Sequence, residues 1–218
     1  MVLRDTKGLI KATALTLFNE RGVSHISGNT IAEHCGISKG NMHYHFRTKQ
    51  DIILALFADI VAEVSGSWRE DTDQPTVKHM AEMFERQLEM IWRYRFFYRE
   101  MSSLVRDSDE LHEMVIAHRD VRIEEVRQFF EALVESGVLV KPRSRESLRY
   151  LVVLSWIFSD NWLNFIELQG EEEDAEVINT GYDMIIELFY PYLTESARTE
   201  IYDSYQAIKA DFLSPDKD

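Results

Sequence analysis

Lys39, Asn41, His43 and Tyr44 stand within six consecutive residues of a 218-residue chain, and each ends in a hydrogen-bonding group. A side-chain amide bonds the N6/N7 edge of adenine bidentately and an ammonium reaches O6/N7 of guanine, each good pair giving roughly 1–3 kcal/mol of discrimination. Such groups read DNA only when one short helix presents them together and a rigid frame holds that helix. The surrounding residues 27–49, SGNTIAEHCGISKGNMHYHFRTK, have the composition to supply both.

Ser27 predicts the N-cap of a helix opening with Gly28 and Asn29, because its hydroxyl can accept a bond from an orphan N–H. Ile31 and Ala32 give that helix a narrow apolar face, and Gly36 ends it as a residue free to turn left-handed. Ser38 caps a second short helix, Lys39 to about His45, with Gly40 in its first turn. Two short helices around a glycine turn form a helix-turn-helix, whose second helix is the one that enters a major groove. Thr48, with Asp51 three residues on, has the spacing of a capping box for a third helix.

These residues resemble the tetracycline-repressor (TetR/AcrR) family of bacterial one-component regulators. The resemblance lies in Ile31-Ala32, Gly36-Ile37-Ser38, Gly40, the Tyr44-His45-Phe46 run and Lys49, followed by Ile52-Ile53. With the preceding helix it covers roughly residues 6–60. It implies a repressor whose Ser27, His45 and Lys49 contact phosphates. It also implies a homodimer whose interface comes from two late helices of each subunit, by order residues 144–169 and 175–192. His43 and Asn41 depart from the pattern, where relatives mostly carry Tyr and often Thr, so base preferences do not transfer.

The chain carries −14 overall, which by itself argues against nucleic acid. The distribution reverses that argument. Residues 1–50 hold Arg4, Lys7, Lys11, Arg21, Lys39, Arg47 and Lys49 against Asp5, Glu20 and Glu33, a net +4 that leaves −18 for the remainder. A basic end on an acidic body is attracted to DNA at one face and repelled at the other. Four prolines, nine glycines and long 3.6-residue periodicity predict an all-α chain of about nine or ten helices. The division expected is a helix-turn-helix domain over 1–50 and a helical effector-binding and dimerisation domain over 51–218. No apolar run approaches the roughly 18 residues of a membrane span and no leader pattern is present, so neither membrane nor export is expected. The single Cys35 excludes an internal disulfide and fits a reducing cytoplasm.

In chain order, Ile10, Ala14, Leu17 and Phe18 mark one face of a helix from Thr6 to Arg21, which Gly22 stops. His25, His34, Cys35, His43 and His45 crowd this region, but His43 and His45 point to different sides of a helix, so packing or DNA contact is favoured over a metal. A long helix from Thr48 toward Trp68 reads as a mechanical link. Helix five runs from about Pro75 to Tyr94. The aromatic run from Trp92 to Tyr98, interleaved with arginines, reads as core or as part of a ligand-cavity wall. A helix from Asp109 to Ser136 ends at Gly137. Tyr150–Leu168 is apolar nearly all round and so is expected to be buried on several sides. Helix nine carries Ile178 to Tyr192, and a last helix from Thr194 to Phe212 shows Ala197, Ile201, Ile208 and Phe212.

The dimer interface expected is Leu148, Leu151, Val152 and Ser155 with Ile178, Gly181, Tyr182, Ile185, Leu188 and Phe189. Candidate effector-cavity walls are Trp92, Phe97, Trp156 and Trp162, with Asp160, Asn161 and Asn164 as polar anchors. Asn161 and Asn164 fit a dimer core equally well. The function these residues predict is a sequence-specific DNA-binding regulator, a homodimer on a near-palindromic double-stranded operator, released by a small, mainly apolar or aromatic effector. A DNA-binding helical dimer without effector is the alternative. A helical-bundle enzyme is remote, since there is no Glu-x-x-His, His-Glu-x-x-His, phosphate-cradling loop or Gly-x-Ser-x-Gly elbow. No catalytic residue, metal or cofactor is expected.

Overall fold

Every helix boundary around the reader has an identifiable chemical cause in the computed structural model, which describes residues 5–65, 74–168 and 176–212, without the side chains of 176 and 205–212. Helix α1, Thr6–Arg21, starts at Asp5, whose carboxylate accepts from the Gly8 N–H, and stops at Gly22 (φ 77°, ψ 151°). That backbone conformation is essentially restricted to glycine. A 3-10 turn, Val23–His25, leads to α2, Gly28–Cys35, capped by Ser27 and closed by left-handed Gly36. Helix α3, Lys39–His45, is capped by Ser38. Helix α4, Lys49–Val64, begins with a complete capping box between Thr48 and Asp51.

The further helices are α5 (Val77–Arg93), α6 (Arg95–Arg106), α7 (Asp109–Glu135), α8 (Arg145–Glu167), α9 (Glu176–Phe189) and α10 (Glu195–Phe212), with a 3-10 turn at Tyr190–Tyr192. The fold is all-α. Among the described residues the extended pairing is one isolated antiparallel bridge, Leu139 with Leu193. No helix there is long and apolar enough to cross a membrane. Trp68, toward which the sequence extends the linking helix, and the side chains of Ile208 and Phe212 lie outside the described residues.

Compactness divides the chain into two units, Met1–Ser65 with Tyr94–His118, and Gly66–Arg93 with Arg119–Asp218. The first unit therefore takes in α4, α6 and the start of α7 beside the helix-turn-helix. Its core is the apolar face of α1 (Ile10, Ala14, Leu17, Phe18) with Ile31, Phe46, Ile52, Ile53 and Phe57. Phe18 meets Phe96 with ring centroids 5.4 Å apart, and Phe57 meets Phe97 at 5.0 Å. In the second unit α5 packs on α8, α9 and α10, and α8 packs on α9. Phe189 is its aromatic hub, 4.9 Å from Phe84 and 5.1 Å from Phe130.

Leu148, Leu151, Val152 and Ser155, expected at a dimer interface, are buried inside the second unit, as are Ile178, Gly181, Tyr182, Ile185 and Phe189 of α9. Leu188 is half-buried. Ser155 is satisfied locally, its hydroxyl donating to the Val152 carbonyl at 2.8 Å. Gly181 serves an intrachain contact: a Cβ there would sit 2.7 Å from the Trp162 ring. These residues pack within the second unit of a single chain. Helix α8 exposes another apolar set, Tyr150, Leu154, Ile157 and Phe165, with Leu168 just past its last residue. Its near-continuous hydrophobicity hides that outer face from a periodicity reading.

Candidate nucleic-acid interface

The recognition helix is held from below and bare above. Met42 and Phe46 are buried in the first unit, while Lys39, Gly40, Asn41, His43 and Tyr44 are exposed, Tyr44 to 84%. With seven residues and a pitch of 3.6, burying Met42 and its neighbour Phe46 one turn later turns the remaining positions outward. Asn41 contributes its backbone N–H to the Ser38 cap at 3.1 Å, so its side-chain amide is not consumed by capping. His43 lies with Nδ1–H donating to the Arg47 carbonyl at 3.0 Å, which fixes the ring and presents the other nitrogen. The Tyr44 and His45 rings meet edge to face at 5.1 Å.

Ser27, Gly28 and Asn29 open α2. The Ser27 hydroxyl accepts from the Thr30 N–H at 3.1 Å and also meets the Thr30 hydroxyl at 2.8 Å. Ser27 and Asn29 are exposed beside the helix N-terminus, where the partial positive charge favours a phosphate. Lys49 is placed differently from a free surface cation. Its ammonium donates to the Val23 carbonyl at 2.7 Å, which leaves two of its three donors. His34 Nδ1–H donates to the Thr30 carbonyl at 2.8 Å, and Cys35 is buried. Among the described residues no three His, Cys, Asp or Glu side chains gather as metal ligands.

A polar clasp that the sequence did not disclose ties α1 and the following turn to α6. The Val23 N–H donates to Glu100 Oε1 at 2.7 Å, so both ends of one residue are held by opposite charges, Glu100 on N–H and Lys49 on C=O. Buried Asn19 accepts the Phe96 N–H on its side-chain oxygen at 3.0 Å, and its carbonyl accepts from the Arg99 guanidinium at 2.8 Å. Lys11 of α1 pairs with Asp59 of α4 at 2.6 Å. Residues 77 and 80 positions apart carry no short-range signal, so nothing in the local sequence ties α6 to the reader's frame.

The residues expected around an effector fall in both units. Phe97 belongs to the first unit, buried against Phe57, Phe96 and Tyr98. Trp162 is buried against Gly181 in the second unit. Trp92, Trp156, Asp160 and Asn164 are half-buried in that same unit. Burial pushes the Asp160 carboxyl up to about 6, partly offset by the hydrogen bond from Trp156 one turn earlier. Asn161 is exposed on the outer side of α8, its amide donating to the Ile157 carbonyl at 2.8 Å.

A three-helix unit that buries one face of a short capped helix and exposes Lys, Asn, His and Tyr on the other is the head of a helix-turn-helix DNA-binding regulator. Residues 10–56 match the model of bacterial regulatory proteins of the tetR family, and residues 61–201 match the TetR model described as a bacterial transcriptional repressor. The chain belongs to the TetR family of transcriptional regulators. It is similar to a TetR-family regulator from Marinobacter aquaeolei at 27% identity, with a TM-score of 0.82, over 95% of this chain and 98% of that one. The fold is shared with the ketosteroid transcriptional regulator KstR2 of Mycobacterium tuberculosis (13% identity, TM-score 0.66, 88% and 97% covered). It is also shared with SmeT in a complex with triclosan (17% identity, TM-score 0.59, 89% and 94% covered). The proteins of this family are regulators and not enzymes; they bind DNA operators as dimers.

Proposed function

We propose that this chain is a homodimeric repressor that binds a near-palindromic operator and leaves it when an apolar or aromatic effector occupies the second unit. The observation that carries this reading is the exposed row Lys39, Asn41, His43 and Tyr44 on a helix anchored by Met42 and Phe46. Asn41 and Lys39 are the base readers, while Ser27, His45 and Lys49 hold phosphates. The second copy joins along the exposed α8 face of Tyr150, Leu154, Ile157 and Phe165. Four large apolar side chains on one outward helix face make a patch of the kind that marks an interaction surface.

For the effector, half-buried Trp156 is the apolar wall and Asp160 the polar anchor. Ionised at neutral pH, it accepts a hydrogen bond, and because burial has raised it to about 6 it takes up a proton more readily than an exposed carboxyl. KstR2 is named for ketosteroids and SmeT was solved with triclosan, which supports an apolar or aromatic molecule on this fold. The chain performs no catalysis of its own and works in the cytoplasm, beside the DNA it reads.

The test is fluorescence anisotropy with DNA flanking the protein's own gene. Native protein is expected to bind a near-palindromic segment there and to lose it on adding an apolar aromatic such as triclosan or a steroid ketone. Trp156→Ala is expected to bind DNA normally and resist release. Failure to prefer the flanking DNA over scrambled sequence, in native protein at moderate salt, would overturn the proposal.

A further inference from the structure

His43 is an exposed imidazole with one nitrogen already engaged. Its Nδ1 lies 3.0 Å from the carbonyl oxygen of Arg47, just beyond the end of α3. A carbonyl only accepts, so Nδ1 carries the hydrogen and the neutral ring keeps its lone pair on Nε2. Among the described residues this is the one hydrogen bond of the ring. The same bond holds the ring against rotation, so the acceptor sits at a fixed place relative to α3. Met42 and Phe46 are buried beneath it, and Lys39, one turn earlier, shares its flank of the helix.

We infer that His43 is a specificity residue whose Nε2 accepts from an exocyclic amino group in the major groove, N4 of cytosine or N6 of adenine. The inference rests on the regulator reading above and goes beyond it, since that reading gives His43 no partner. DNA offers few partners to a lone acceptor. Phosphate oxygens, N7 and O6 of guanine, N7 of adenine and O4 of thymine all accept. Those groups suit Lys39, whose ammonium only donates, but not a neutral ring whose single N–H is taken. A phenol here, which relatives mostly carry, can donate to a phosphate; this imidazole in its neutral form cannot. The donors left in the major groove are the amino groups of cytosine and adenine. Each base pair carries one of them, and its place across the groove differs between the four pairs, so a fixed acceptor tells them apart.

The test uses the full chain at pH 8, where imidazoles are neutral, because a protonated ring would donate from Nε2. Selection on randomised half-sites, with native protein and with His43→Ala, locates the base pair whose preference only the variant loses. The ring is exposed, so the variant is expected to fold, which circular dichroism checks. At that pair the amino-bearing base is replaced by its amino-free analogue, purine for adenine or 2-pyrimidinone for cytosine. Native protein is expected to lose about five- to tenfold more affinity than His43→Ala for each half-site altered. The analogue weakens the base pair for both proteins, so the difference between them isolates the contact. A 7-deazapurine in the same pair removes an acceptor and is expected to leave the native-to-variant ratio unchanged. Equal losses on the amino-free DNA, or a ratio that responds to the 7-deazapurine instead, would overturn the inference. So would a His43→Ala protein that keeps every base preference while binding all DNA more weakly, the mark of a phosphate contact. If native protein enriches no sequence at all, the regulator reading fails first and this inference with it.

Discussion

Asn41 and Asp160 are polar residues with opposite relations to water, and each difference has a measurable consequence. Asn41 keeps its side-chain amide in solvent because Ser38 caps the helix through the Asn41 backbone. Removing that amide therefore leaves the cap and fold intact. Asn41→Ala is expected to lower affinity for the preferred operator by about 1–3 kcal/mol and to flatten the preference at one base position in each half-site. Binding to scrambled DNA should stay the same, which selection on randomised half-sites would check. Asp160 has the reverse problem. Burial raises its carboxyl from 3.8 to about 6, so the folded chain holds the proton more tightly than the unfolded one. Stability then falls as pH rises through that window, and the full cost is present above it. Asp160→Asn removes the charge and keeps an acceptor for the Trp156 N–H. It is expected to stabilise the chain by about 1–2 kcal/mol at pH 7, discounted for partial exposure, and by nothing near pH 3.5. Urea unfolding at the two pH values measures the difference, and an equal gain at both would rule out titration as its cause.

Among the elements, α6 shows what a sequence discloses and what it withholds. The caps at Ser27, Ser38 and Thr48, the stop at Gly36 and the bounds of α3 were legible because each depends on residues within four positions. The clasp on Val23 was not, since Glu100 lies 77 positions away and nothing local marks it. The outer face of α8 was hidden for another reason: a helix apolar on nearly every side does not say which side its own chain covers. The clasp makes its own prediction. Glu100→Ala leaves the Val23 N–H without its acceptor and is expected to cost about 1–3 kcal/mol, with Glu100→Gln recovering most of it. Gly22→Ala acts on the same spot by two routes, an unfavourable φ of 77° and a Cβ 3.1 Å from Glu100 Oε1. Lys49→Ala should lower both thermal stability and affinity for every DNA alike, whereas Lys39→Ala should lower affinity alone. A Lys49→Ala protein with native melting temperature would remove Lys49 from the clasp.

At the scale of the whole molecule, charge and symmetry act together. The first fifty residues carry +4 and the remainder −18, so DNA is attracted by a small basic surface and opposed by most of the chain. One reader is therefore a weak binder, and two joined readers gain from each other because the second binds at an effective concentration set by the first. Salt measures this directly, since the slope of log K against log salt is about −0.9 for each phosphate neutralised. A dimer on a full operator neutralises twice as many phosphates as a single chain on a half-site. Leu154→Glu places a charge in the exposed α8 seam without touching the reader, so it is expected to separate the subunits and leave the helix-turn-helix folded. The slope on a full operator should then fall to about half its native value. Affinity should drop by about a hundredfold or more at moderate salt, the lower end of what linked binding supplies. On an isolated half-site native and Leu154→Glu chains should bind alike at protein concentrations too low for dimers. Anisotropy titrations at three salt concentrations, on full and half operators, separate the outcomes. A halved slope with equal half-site affinity locates the loss in assembly. An unchanged slope on the full operator would mean that the α8 face does not join the two readers.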